Sequence, residues 1–266
     1  MEIYERFGLF VESAKVQYLA YALMFARSSY TEALELILRV RQEYMSKKVG
    51  NDFLFELDLH YAESITKSAL GDYDGSREAA LAAIALSRGE SVYYLTDHLY
   101  RVVSSLAQMS GNQEEARGYL EKARQYVLFT EDEQSVQLMQ LAEMRLANVD
   151  GRYEDALLLS GQGQGRDDRY AASSSLQTGI ALYHLGRDEE ALAALSKVIL
   201  HDDVYHPLDS AAVYTSYSYK AKIYARQGKM EEARGQALIA YERVQQYPPS
   251  VYCDFIRETY RELHRP

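Results

Sequence analysis

The segment from His201 to His206 gathers two imidazoles and two carboxylates, which are ligand types that bind divalent metals. It lacks a compact helical ligand spacing such as His-Glu-x-x-His. It also directly precedes Pro207, in a stretch where polar side chains commonly satisfy helix ends. We therefore expect no metal site in this segment.

A glycine-rich stretch, Ser160 to Arg169, carries three glycines at alternate positions. A nucleotide-binding loop needs a preceding strand and a Gly-Lys-Ser/Thr ending, and this stretch has neither. We interpret it as a flexible connector and expect no cofactor.

Side chains that serve in acid-base or nucleophilic catalysis are present but isolated. Paired acids such as Glu114 and Glu115 stand where helices are predicted to begin, and there they complement the helix dipole. No nucleophile motif accompanies His98 or His184, and the sequence places no histidine beside Cys253. The sequence therefore predicts a protein that is not an enzyme.

The composition limits the partners. The formal net charge of −10 opposes nonspecific binding to nucleic acid or anionic lipid, so we expect neither as a direct partner. A single cysteine excludes an internal disulfide. The sequence has no apolar run long enough to span a membrane and no recognisable secretory signal, which favours a cytoplasmic location.

A recurring pair of residues organises the chain: a turn residue, usually glycine, and five residues later a small residue. The intervals between successive turns are 43, 40, 40, 35 and 42 residues. Such a period is typical of helical-repeat proteins. The pairs are Ser28/Ala33, Gly71/Ser76, Gly111/Ala116, Gly151/Ala156, Gly186/Ala191 and Gly228/Ala233.

Apolar residues between the turns follow helical spacing, so the chain is predicted to be all-α. We expect a single domain, residues 1–266, forming a right-handed superhelix of about six antiparallel hairpins. Pro207, Pro248 and Pro249 fall in predicted loops. The hairpins lie near 9–47, 52–88, 91–129, 131–160, 171–201 and 209–246; the fifth pairs 171–185 with 188–201.

A last amphipathic helix is predicted at 250–264. One interpretation is that it caps the exposed core of the sixth hairpin. The alternative is that it forms the contact of a homodimer.

These residues resemble tetratricopeptide repeats (TPR), most closely around Gly179, Gly186, Ala191, Tyr224 and Gly228. The long repeats look like those of the peptide-pheromone receptors of Gram-positive bacteria and their phages, the RRNPP group. That resemblance implies a cytoplasmic sensor that binds a short peptide inside its superhelix, in quorum sensing or transcription regulation.

In such a superhelix the first helix of each hairpin lines the groove. Counting back 3, 6, 10 and 13 residues from each turn predicts the groove-facing stripe. Its cations suit a peptide carboxylate, and its amides suit an extended backbone. An open alternative is that the cations only pair with acids of neighbouring helices. The candidate peptide-binding residues are Arg101, Ser105, Gln108, Leu141, Arg145, Asn148, Ile180, Tyr183, Lys222 and Arg226.

The function predicted from these observations is a module that binds a short peptide or an extended segment of a partner protein. The alternative is a structural scaffold that assembles protein partners through its outer surface and takes no small peptide.

Overall fold

A computed structural model of the chain describes residues 8–47, 52–130, 133–161, 168–198 and 206–265. Within these ranges the regular secondary structure is entirely helical, which confirms the all-α fold class. A 3₁₀ turn spans Val244–Gln246. The α-helices are α1 Phe10–Ala26, α2 Tyr30–Ser46, α3 Phe53–Ala69, α4 Tyr73–Glu90, α5 Thr96–Met109, α6 Gln113–Thr130, α7 Glu133–Val149, α8 Tyr153–Ser160, α9 Asp168–His184, α10 Asp188–Leu195, α11 Pro207–Arg226, α12 Met230–Arg243 and α13 Val251–His264.

The chain divides into two compact units, residues 1–119 and residues 120–266, with the boundary inside α6. In unit 1, an apolar core forms around Ile37, Val40 and Leu59 as α1 and α2 pack on α3. Unit 2 has a core around Leu195 and Ile223, where α9, α10 and α11 meet.

The predicted turns are confirmed by the backbone. Each turn residue has a φ between 60° and 84°, the left-handed conformation that ends a helix. At Gly186 the amide donates to the carbonyl of Tyr183 (3.2 Å), and the amide of Arg187 donates to Leu182 (2.9 Å). These bonds satisfy carbonyls at the end of α9 and leave the chain free to begin α10.

The small residue five positions after each turn is fully buried in every hairpin, as the repeat pattern predicts. A small side chain at this point lets the two helices of a hairpin approach closely. These residues are Ala33, Ser76, Ala116, Ala156, Ala191 and Ala233.

The prediction that the third hairpin begins at 91 is wrong, because α5 begins at Thr96. Ser91 and Leu95 both adopt positive φ, 55° and 59°, which a helix cannot accommodate. The buried hydroxyl of Ser87 fixes this connection by donating to the carbonyl of Val92 and contacting the Thr96 hydroxyl at 2.6 Å.

The predicted helix 188–201 is also too long, since α10 ends at Leu195. Just past this end, the Ser196 hydroxyl donates to the carbonyl of Leu192 at 2.7 Å. Pro207, predicted in a loop, is instead the first residue of α11, a position where its missing amide hydrogen costs nothing.

The last helix, α13, packs against α11 and α12. Its buried residues Cys253 and Ile256 join Tyr214 and Val244 in an apolar cluster. Ser250 begins the helix by accepting a hydrogen bond from the Cys253 amide at 3.3 Å. The predicted amphipathic helix thus covers the end of unit 2.

Candidate functional site

Aromatic side chains from three helices of unit 2 form a continuous row. The ring of Tyr183 on α9 lies 5.1 Å from that of Tyr219 on α11, and Tyr219 lies 4.9 Å from Phe255 on α13. We call Tyr183, Tyr219 and Phe255 the aromatic row. Because its members come from successive hairpins, the row marks one shared face of α9, α11 and α13.

Two predicted cations flank the aromatic row, and both are ion-paired. Arg226 lies over the ring of Tyr183 at 4.1 Å and pairs with Asp188 at 2.6 Å. Lys222 lies 5.7 Å from the ring centre of Phe255 and pairs with Glu262 at 2.6 Å. These two residues thus pair with acids of neighbouring helices, which is the alternative to peptide binding that the sequence left open.

His184 extends the aromatic face toward α8. Its imidazole stacks on Tyr153 with ring centres 4.6 Å apart and planes only 3° from parallel. Burial lowers the pKa of His184 below its ordinary value, and the nearby positive charge of Arg226 lowers it further. The ring is therefore neutral at pH 7 and stacks on Tyr153 as an uncharged aromatic group.

Arg145 differs from the other predicted cations. Its side chain makes no hydrogen bond or ion pair with any other described residue, and its Nε is buried without a partner. The phenol of Tyr252 on α13, and to a smaller degree the carboxylate of Asp209 on α11, raise the pKa of Arg145 against the lowering caused by burial. Arg145 thus extends from α7 toward α11 and α13 with donors still available.

Asn148 links α7 to α9. Its amide nitrogen donates to the backbone carbonyl of Gln177 at 2.9 Å and to the Gln177 side-chain oxygen at 3.1 Å. The Asn148 Oδ1 atom is buried and has no hydrogen-bond partner among the described residues. The residue therefore fixes the helix pair while leaving one acceptor unused.

The remaining predicted residues of unit 2 are largely packing groups. Leu141 is buried, and Ile180 and Tyr183 pack against the core around Leu195. They support the face on which the polar residues stand.

The predicted residues of unit 1 lie on α5. Arg101 is only 8% exposed; it pairs with Asp97 at 2.5 Å and contacts His98 Nδ1 at 3.2 Å. The opposite nitrogen of His98 is 3.0 Å from the Tyr61 hydroxyl. Gln108 is buried and Ser105 is half-buried.

Sequence reasoning missed Tyr219, Gln177, Phe255 and Tyr252. Tyr219 and Gln177 each lie nine residues before a turn, on the flank of the predicted stripe. A wider stripe would have included them. Phe255 and Tyr252 lie in the last helix, which has no following turn from which to count.

The other chemistry considered from the sequence gains no support within the described ranges. They contain no cluster of three or more His, Cys, Asp and Glu side chains placed to hold a metal ion. Residues 201–205 and 162–167, parts of the metal and glycine-rich candidates, lie outside the described ranges. His206 instead caps the start of α11, where its Nδ1 accepts a hydrogen bond from the Leu208 amide at 3.2 Å.

Among the described helices, none combines the length and the apolar character required to traverse a bilayer.

Comparison with solved structures places this fold among TPR proteins. The chain is similar to NprR, solved in complex with its cognate peptide NprX: the TM-score is 0.68 and the identity 12%, over 94% of this chain and 70% of that one. It is also similar to the Rap conjugation gene regulator of plasmid pLS20 in complex with the Phr* peptide, with a TM-score of 0.64 and 15% identity over 96% and 76% of the two chains.

A tetratricopeptide repeat protein from Parabacteroides merdae matches with a TM-score of 0.54 and 13% identity, over 96% of this chain and the whole of that one. No family model matches the sequence, and no curated protein matches it. The fold is TPR-like and resembles that of the RRNPP peptide receptors, as the sequence predicted.

Proposed function

We propose that this TPR-like chain is a peptide-binding module, and that unit 2 binds an extended segment bearing a carboxylate along α7, α9, α11 and α13. The carboxylate is the chain terminus or an acidic side chain, and it binds Arg145. A short signalling peptide is the ligand we favour, which gives the chain a regulatory, quorum-sensing-type role in the cytoplasm.

The observation that carries this proposal is the unpaired state of Arg145. Desolvating a guanidinium without a partner is costly, and Arg145 has no carboxylate within bonding distance among the described residues. Arg226 and Lys222, by contrast, are each paired at 2.6 Å. A carboxylate ligand would supply the bidentate acceptor that Arg145 lacks.

The surrounding groups suit the rest of a peptide. The aromatic row offers ring faces and edges to apolar side chains. Asn148 lies on α7 one turn beyond Arg145, and its Oδ1 has no hydrogen-bond partner among the described residues, which leaves an acceptor next to the proposed carboxylate site. Because packed hairpins hold these groups in place, ordering the site would cost the receptor little.

Support from known folds is at the level of architecture. NprR and the pLS20 Rap regulator were both solved with peptides bound. The assignment of particular residues here rests on the contacts within unit 2. Arg101, Ser105 and Gln108 of unit 1 stay separate predictions, to be tested one by one.

The test begins with native mass spectrometry of the chain purified from its source cells, to identify a bound peptide. Affinity for that peptide, or for a pool of short peptides with free carboxyl ends, is then measured by calorimetry. We expect Arg145→Gln to weaken binding by about 10- to 100-fold, because a hydrogen bond to a charged group contributes about 1.5–3 kcal/mol. Amidated peptides should lose the same factor if the carboxylate is the chain end.

Arg152→Gln is the matched control, since it removes one exposed positive charge at the start of α8 in the same unit. It should change affinity less than about twofold, as expected for a screened surface charge. Equal affinity of the wild type and Arg145→Gln, with circular dichroism unchanged, would remove Arg145 from the site. Failure of every peptide to bind would favour the scaffold alternative.

A further inference from the structure

The first of the described helices, α1, carries an apolar stripe that no described residue covers. Leu19 is 65% exposed, Leu23 63% and Val16 39%, and Ala20 between them is exposed as well. These residues recur at the spacing of one helix face, so they form a continuous surface. Helices with apolar residues on every side are normally buried.

The opposite face of α1 is already in use. Ser13, Ala14, Gln17 and Tyr21 are buried against the hairpin, and the Tyr21 hydroxyl donates to the carbonyl of Ala62 on α3 at 3.1 Å. The apolar stripe therefore faces away from the core of unit 1. Rotation of the helix cannot hide it without breaking these contacts.

The last helix, α13, is charged on its solvent-facing side. The outward positions of α13 include Asp254, Glu258, Arg261 and Glu262, all exposed and charged. Helix α13 presents charged residues on its outward side and α1 presents apolar ones, so α1 is the better candidate for a self-association surface.

The ends of the stripe carry opposite charges. Glu12 stands one turn before Val16, and Arg27 one turn after Leu23. Both side chains are exposed, and neither makes a hydrogen bond or an ion pair with another described residue. Within the described part of the chain, both charges are thus left for a partner to pair with.

The order of residues along the stripe is self-complementary. Reversing the helix about the midpoint between Leu19 and Ala20 exchanges Val16 with Leu23 and Glu12 with Arg27. Two antiparallel copies of α1 therefore place apolar residues opposite apolar residues and each glutamate opposite an arginine. Small Ala20 faces large Leu19 at the centre, which allows the helix axes to approach closely. This is the pattern that a two-fold symmetric contact requires.

We propose that the exposed stripe of α1 is a homodimer interface in which a second copy of this chain packs antiparallel across Leu19 and Ala20. Two Glu12–Arg27 ion pairs, one at each end, fix the orientation. The contact is one helix face about 25 Å long, which is smaller than the about 800 Å² per partner of a standard interface. The dimer is therefore expected to be weak and reversible.

Analytical ultracentrifugation of the full chain, from about 1 to about 200 µM, tests the proposal directly. We expect a reversible monomer–dimer equilibrium, and Leu19→Lys should raise the dissociation constant at least about tenfold by burying a charge at the centre. Leu158→Lys is the matched control, because Leu158 is 70% exposed but lies on α8. It should leave the equilibrium unchanged within about twofold.

A charge exchange identifies the partner and its orientation. Glu12→Lys and Arg27→Glu should each weaken association about threefold or more, since each places like charges opposite one another at both ends. The double variant should restore the wild-type constant within about twofold, because the pairs re-form with reversed sign. Circular dichroism should be the same for all variants, since every altered side chain is exposed.

Three results would each overturn the proposal. The first is a wild-type chain that stays monomeric throughout the concentration range. The second is a dimer that Leu19→Lys leaves intact. The third is a double charge variant that associates no better than the two single ones.

Discussion

Gly179 lies where α9 passes closest to α10. A Cβ atom built at Gly179 would lie 2.6 Å from both Cγ and Cδ2 of Leu195, far inside normal contact distance. Leu195 is fully buried in the core of unit 2, so its side chain has little room to move. Gly179→Ala should therefore lower the free energy of unfolding by about 1–3 kcal/mol, as measured by urea denaturation.

Gly235 provides the internal control for that measurement. It also lies inside a helix, α12, but a Cβ atom there would meet nothing within 4 Å. Gly235→Ala should stabilise the protein by up to about 1 kcal/mol, because alanine loses less backbone entropy on folding. If both substitutions shifted stability in the same direction, the close contact at Gly179 would not be the cause.

At the scale of single residues, the sequence was a better guide to which side chains lie on the same helix face than to which groups those side chains pair with. Tyr183, Lys222 and Arg226 were all predicted to face the groove, and Arg226 does lie over the ring of Tyr183. Their acidic partners Glu262 and Asp188 come from other helices, and such tertiary pairs leave no signature in local spacing. The lack of an ion-pair partner for Arg145 among the described residues was unpredictable for the same reason.

The hairpin formed by α1 and α2 differs from the other five in its turn residue. Ser28 adopts a φ of 60°, whereas glycine occupies the corresponding position elsewhere. A side chain in the left-handed region costs about 1–2 kcal/mol, and the exposed 3.3 Å bond from the Tyr30 hydroxyl to Ser28 offsets little of it. Ser28→Gly should therefore stabilise unit 1 by about 1 kcal/mol.

The reverse substitution, serine for glycine, can be made at the turn residue Gly111. Gly111 has a φ of 74° and open space around it, so a side chain there meets only the backbone cost. Gly111→Ser should destabilise unit 1 by about 1 kcal/mol. Thermal denaturation followed by circular dichroism measures both variants, and shifts of opposite sign are expected.

At the scale of elements, the sequence was most informative where backbone conformation depends on residue type. Five of the six left-handed turns carry glycine, and the small residue after each turn is buried. Ser91 and Leu95 take the same conformation without being glycine, so no composition signal marked the later start of α5. The hydroxyl contacts of Ser87 with Val92 and Thr96, together with the hydrogen bond from the Val92 amide to the Ser87 carbonyl, hold that connection.

For the whole molecule, two partly buried histidines set a pH dependence. Burial lowers the pKa of His60 in unit 1 below 6.5, aided by the positive charge of Arg41. Burial and the positive charge of Arg226 likewise lower the pKa of His184 in unit 2. Within the folded chain both rings therefore resist protonation more than they do when unfolded.

The sign follows from proton linkage. The unfolded chain binds protons with the ordinary histidine pKa of 6.5, and the folded chain binds them only at lower pH. Stability is full above pH 6.5 and is lost as the pH falls toward the folded-state pKa values. The free energy of unfolding should therefore decrease between about pH 7 and pH 5.5.

Replacing both rings with phenylalanine isolates the histidine contribution. His184→Phe keeps an aromatic ring against Tyr153, and His60→Phe removes the other titrating group. The double variant should show a flatter pH profile across the same range in urea titrations. A profile as steep as that of the wild type would assign the effect to carboxylates instead.

The closeness of Gly179 to Leu195 also bears on how distant relatives of this chain can be recognised. With identities of only 12–15% to similar structures, pairwise alignment has few fixed points. A position where the addition of one carbon is sterically forbidden resists drift, and so do glycines held in the left-handed region. Gly179 and the five turn glycines therefore provide markers from which homologous sequences can be put in register even where every surface residue has diverged.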